Sequence, residues 1–77
     1  MMSEFLLSER VSDVEIRAQM ALSTSAIYAL RDLQVTRSDD DLLILGRVKS
    51  FYEKQMAQEL VRSVADGLVV VNQIEVA

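Results

Sequence analysis

The chain has 77 residues, of which 51% are apolar and 26% charged, with a net charge of −4 and no histidine, cysteine or proline. That length holds one small domain of ordinary globular composition. The missing residue types exclude a disulfide framework, a thiolate or imidazole metal site and the commonest general base. The excess of acids argues against a nucleic-acid surface of clustered cations and disfavours a strongly anionic membrane.

The first residues, MMSEFLLSERVSD, carry an apolar run of only Phe5, Leu6 and Leu7 between acids. A secretory leader needs an apolar core of roughly 7–15 residues, and a spanning helix roughly 18. As written, the chain is expected to be soluble and cytoplasmic, although the doubled methionine leaves room for a removed leader. Residues 1–11 are expected to form an extension and residues 12–77 the domain.

Ser12-Asp13-Val14-Glu15 has the form of a capping box and predicts the start of a first helix. Ile16, Met20 and Ile27 keep helical spacing, with Ala18, Ala21 and Leu22 beside them, and Ser23-Thr24-Ser25 is expected to end the element. Leu33-Gln34-Val35-Thr36 alternates apolar and polar residues, the mark of a half-buried strand. Ser38-Asp39-Asp40-Asp41 lies at hairpin distance between two strand-like runs and reads as a turn. A calcium loop of EF-hand type would spread its ligands over about twelve residues with a glycine and a distal glutamate. These acids are contiguous, so a solvated turn is preferred.

Leu42 to Val48 is the most apolar strand, and Ser50-Phe51-Tyr52-Glu53 forms a second capping box at the start of a second helix. Ala57, Leu60, Val61 and Val64 make the buried stripe of that helix, with Met56 on its flank. Asp66-Gly67 should end it, Gly67 taking the left-handed position, and Val69 to Val76 reads as a third strand. Strands two and three flank a helix and should lie parallel through a right-handed crossover. The fold expected is α+β: an αββαβ two-layer sandwich, a three-stranded mixed sheet with two helices on one face.

Gly46 stands between an apolar strand and a helix, as in some phosphate-binding loops. Such loops want several glycines and a Lys-Ser/Thr pair, and Gly46-Arg47-Val48-Lys49-Ser50 has neither. A strand glycine more often marks close approach by another element, here expected to be a helix over the sheet.

Asp13, Ile16 and Leu22, then Leu42, Ile44, Gly46, Val48 and Ser50, then Ala57, Val64 and Gly67, and finally Val71, Asn72, Ile74 and Val76 follow one family pattern. On these residues the chain resembles a BON domain, the bacterial osmotic-shock and nodulation module, in a single copy over Ser12 to Val76. The resemblance implies a binding module of the cell envelope or periplasm, not a catalyst, attaching to phospholipid or to a protein partner. The same element order occurs in ring-building domains of secretion systems, which makes oligomerisation through protein contacts the alternative. It also occurs in some RNA-binding KH arrangements, but the Gly-x-x-Gly loop these need is absent.

No cofactor, metal or catalytic residue is expected, and Ser12, Ser38 and Ser50 read as caps or turn residues. Two surfaces are candidates. If Leu42, Ile44, Gly46 and Val48 face the helices, alternation turns Leu43 and Leu45 to an open sheet face beside Val71. That patch is expected to be covered by Phe5-Leu6-Leu7, by a second copy of the chain or by another protein. The second candidate is a lipid contact at Phe51, Tyr52 and Lys54, near Arg47 and Lys49, aromatics with flanking cations being suited to a membrane boundary. The competing expectation is that one ring packs in the core and the other shields its edge. A monomer or weak homo-oligomer fits either surface.

Overall fold

The structure, a computed structural model, describes the backbone of residues 2–77 and the side chains of residues 13–77. Helix α1 spans Met2–Ser23 and is followed by a 3-10 turn at Tyr28–Leu30. Strands β1 (Gln34–Ser38), β2 (Asp41–Leu45) and β3 (Arg47–Val48) lead to α2 (Phe51–Arg62), and β4 (Val69–Asn72) and β5 (Glu75–Val76) complete the chain. This is the expected α+β architecture. The sheet order is β1-β2-β4, with β1 antiparallel and β4 parallel to β2, and β3 pairs in parallel with β5 as its continuation.

The hairpin closes at Ser38 opposite Asp41, with Asp39 at φ 54°, a left-handed conformation that a short polar side chain tolerates. On β2, Leu42 and Ile44 are fully buried, and Val48 on β3 nearly so. They join Val14, Ala18 and Leu22 of α1, Ala57 and Val61 of α2, and Leu30, Leu33, Val35, Ala65 and Ile74 in one core. Among the described residues no buried side-chain nitrogen or oxygen lacks a hydrogen-bond partner.

Four local expectations are corrected. Ser12 does not cap α1, because the helix already runs unbroken from Met2; the upstream residues Glu4 to Val11, without Gly or Pro, continue the helical path through the cap-like tetrad. Phe5, Leu6 and Leu7 therefore lie within α1, and their side chains fall outside the described residues. Ile16 and Met20 are 51% and 59% exposed, and the inward stripe is Val14, Ala18 and Leu22. The helices contact each other, and each contributes an alanine with no exposed area, Ala18 and Ala57. Small side chains allow such close approach, which leaves the bulkier Ile16 and Met20 on the outside.

Helix α2 begins as expected, with the Ser50 Oγ accepting from the Glu53 amide at 3.1 Å. The Glu53 carboxylate returns to the Lys49 amide at 2.9 Å, one residue ahead of the cap. Its end comes earlier than expected. Ser63 is the C-cap, its hydroxyl donates to the Leu60 carbonyl at 2.6 Å, and the bonds Val64 N to Val61 O and Ala65 N to Arg62 O tighten the exit. Gly67, at φ +88°, thus belongs to the following turn with Asp66.

The last correction concerns Gly46. It has φ +134° and divides the expected second strand into β2 and β3. A Cβ built on it would lie 2.6 Å from Cδ2 of Leu33, the buried residue just before β1. The close approach comes from that side chain and not from a helix. The Gly46 carbonyl accepts from the Glu75 amide at 2.9 Å, so the paired strand kinks with it.

Candidate functional site

The chain that returns from the hairpin reaches α2 through Arg47-Val48-Lys49-Ser50, where the Ser50 cap sets the helix at once. A residue at the first position of a capped helix is held with its side chain over the preceding loop. Phe51 and Tyr52 occupy the first two positions and are 76% and 66% exposed. Neither ring packs in the core, so the expectation that one would do so is overturned. Lys54 stands three residues after Phe51, on the same side of the helix, and is partly buried.

A third aromatic, which periodicity did not single out, comes to the same region. Tyr28, in the 3-10 turn, is 78% exposed and lines a shallow cavity of about 650 Å³ with Arg47, Val48, Lys49 and Glu53. Its ring carries the Arg31 guanidinium 4.2 Å from the ring centroid, and the Arg31 Nε donates to the Ser25 carbonyl at 2.7 Å. The turn itself is closed by the Leu30 amide on the Ile27 carbonyl and the Arg31 amide on the Tyr28 carbonyl, both at 3.0 Å. Tyr28 lies some twenty residues from Lys49 and Glu53 in sequence, and only tertiary packing brings it to the cavity they line.

The charge of this end differs from that of the rest. Arg31, Arg47, Lys49 and Lys54 are four of the eight cations, whereas Asp32, Glu53 and Glu75 are only three of the twelve acids. The end is therefore slightly cationic, and the acids that make the whole chain −4 lie elsewhere. Arg47 and Glu75 face each other across the β3–β5 pair at 3.3 Å, both largely exposed, which is worth little in water.

On the other face of the sheet, Leu43 pairs in register with Val71 of β4 and with Thr36 of β1. Leu43 and Val71 are half-buried, Leu45 is 38% exposed, and Val69, not singled out from sequence, is 58% exposed. The helices contact β1 and β4 from the opposite face, where Asn72 of β4 donates to the Lys54 carbonyl of α2. Among the described residues no group of His, Cys, Asp or Glu is placed to hold a metal ion, and no helix is long and apolar enough to cross a membrane.

The sequence model of the BON domain family matches residues 12–77. The chain belongs to that family. No curated protein matches the chain in sequence. BON domains are generally non-catalytic binding modules associated with phospholipid.

Proposed function

We propose that this BON domain attaches reversibly to a phospholipid surface through its aromatic end. The observation that carries the reading is the exposure of both Phe51 and Tyr52 on the first turn of a capped helix. Rings of this kind settle at the boundary between headgroups and acyl chains. Each ring contributes on the order of 1–3 kcal/mol when it leaves water. Lys49 and Lys54 flank the two rings in the chain, and a cation near an anionic leaflet adds about 1 kcal/mol. The acids concentrated elsewhere are repelled by the same leaflet, which orients the domain end-on and keeps the attachment weak.

Co-sedimentation with phosphatidylglycerol-containing vesicles, compared with phosphatidylcholine alone, tests this. The anionic vesicles should retain the domain more strongly, and Phe51→Ser/Tyr52→Ser should abolish retention while leaving the fold intact by circular dichroism. Retention unchanged by that double substitution would exclude the surface. A second reading, protein attachment through Leu43, Leu45 and Val71, is supported by the half-exposed Leu45 and Val69 on a face that carries no helix. Leu45→Lys separates the two in the same assay. It should not alter vesicle binding if the aromatic end is the contact.

A further inference from the structure

The two edges of the sheet are finished differently. Along β1 the outward amides are already taken by side chains of α1. The Val35 amide donates to Gln19 Oε1 at 2.9 Å and the Arg37 amide to Glu15 Oε2 at 3.1 Å. Gln19 Nε2 also donates to the Leu33 carbonyl at 2.8 Å, so this amide mimics a short stretch of neighbouring strand. Glu15 and Gln19 are one turn apart on α1, which therefore runs beside the edge and closes it.

The β4–β5 edge has no such closure. The amides of Val69, Gln73, Glu75 and Ala77 donate to the carbonyls of Asp40, Ile44, Gly46 and Val48, which ties this strand to its inner neighbours. Alternation along an extended strand turns the intervening amides, those of Val70, Asn72, Ile74 and Val76, away from that ladder. The Ile74 amide is satisfied locally by Asn72 Oδ1 at 3.2 Å. Val70 and Asn72 are left facing outward along a run, Leu68 to Ile74, that contains no charged residue and no proline, whereas the Val76 amide follows the exposed Glu75. Native edges are ordinarily guarded by one or the other.

We propose that the β4–β5 edge receives an extended peptide segment of a partner protein, which adds to the sheet as a further strand. The occupant follows from what lies above the edge. Asn72 Nδ2 donates to the Lys54 carbonyl at 3.0 Å and to Gln58 Oε1 at 3.1 Å, which places α2 over β4. A second copy pairing β4 with β4 would bring its own α2 within one strand spacing, about 4.8 Å, whereas packed helices stand about 8–10 Å apart. A whole second domain does not fit, and a bare strand does. Its side chains would alternate between two environments. On the open face they meet Val69 and Val71 and should be aliphatic; on the helix side they meet the flank carrying Lys54 and Gln58 and should be polar or acidic. Lys54 borders both this surface and the aromatic end, but the strand contact is made by the β4 backbone and is tested without lipid.

The test uses the whole 15N-labelled chain and a ten-residue peptide of alternating valine and glutamate, with threonine at the ends. A copy N-methylated on alternate residues lacks half of the backbone donors and is the control. In the free protein the amides of Val70, Asn72 and Val76 should exchange at least about 10-fold faster than those of Val69, Val71 and Gln73. Saturating peptide should slow Val70 and Asn72 by a similar factor, and the N-methylated copy should not. Equal exchange of the two sets in the free protein would overturn the proposal, as would equal binding of the methylated peptide or no protection at millimolar peptide. Protection that rises with protein concentration alone, with a dimer in sedimentation, would also overturn it by identifying a second copy as the occupant.

Discussion

Replacing Gly46 by alanine should be among the most damaging single substitutions outside the core. Two effects add. The backbone sits at φ +134°, where an L-residue is strained, and such strain costs about 1–3 kcal/mol. The new Cβ would also lie 2.6 Å from Leu33 Cδ2. Leu33 is only 1% exposed and is walled in by the core, so it has little room to yield; overpacking of that kind costs about 1–3 kcal/mol. The sum is about 2–6 kcal/mol, against a total stability of about 4–12 kcal/mol for a chain of this size. With a urea slope near 1 kcal/mol/M, the unfolding midpoint should fall by about 2 M or more at unchanged slope. Gly67→Ala provides the internal comparison, because Gly67 also has positive φ, +88°, but nothing lies within 4 Å of its added Cβ. It should lose only the strain contribution. A Gly46→Ala midpoint no lower than that of Gly67→Ala would refute the close approach of Leu33 as the reason for this glycine.

Two further outcomes follow from the polar side chains that tie helices to sheet edges. Asn72→Ala removes the bonds to the Lys54 carbonyl, Gln58 and the Ile74 amide, and should cost about 1–3 kcal/mol, read as a lowered melting temperature. An unchanged melting temperature would mean that water replaces all three bonds. Gln19→Ala leaves the Val35 amide and the Leu33 carbonyl without their partner; it should lower stability by a similar amount and speed exchange at the Val35 amide. Undiminished protection there would show that α1 does not close that edge through Gln19.

The element order and the layer arrangement were legible in the sequence because they rest on local signals. The Ser38 to Asp41 cluster marked the hairpin, and the serine and glutamate three residues apart at Ser50 and Glu53 marked the start of α2. Alternation placed Leu42 and Ile44 inward and Leu43 and Leu45 outward, and periodicity alone sufficed for Ala57 and Val61. The same kind of signal failed at Ser12, where a cap-like tetrad lies inside an unbroken helix. A capping motif states where a helix is able to start, and not whether the preceding turn already exists.

What tertiary structure decided is everything that depends on which of two equivalent faces or partners is used. Helical spacing alone admits both the Ile16–Met20 stripe and the Val14–Ala18–Leu22 stripe of α1; the approach of α2 selects the narrower one and exposes the other. Nothing local relates Tyr28 to Lys49, or Gln19 to the amide of Val35 sixteen residues later, since both relations arise only when α1 and the 3-10 turn pack beside the sheet. Likewise a glycine in a strand announces that some group comes close, but its identity as Leu33 belongs to the folded chain. Local chemistry specifies the elements because it acts within a turn or a pleat. Contact specificity comes from packing, which acts between residues that sequence leaves far apart.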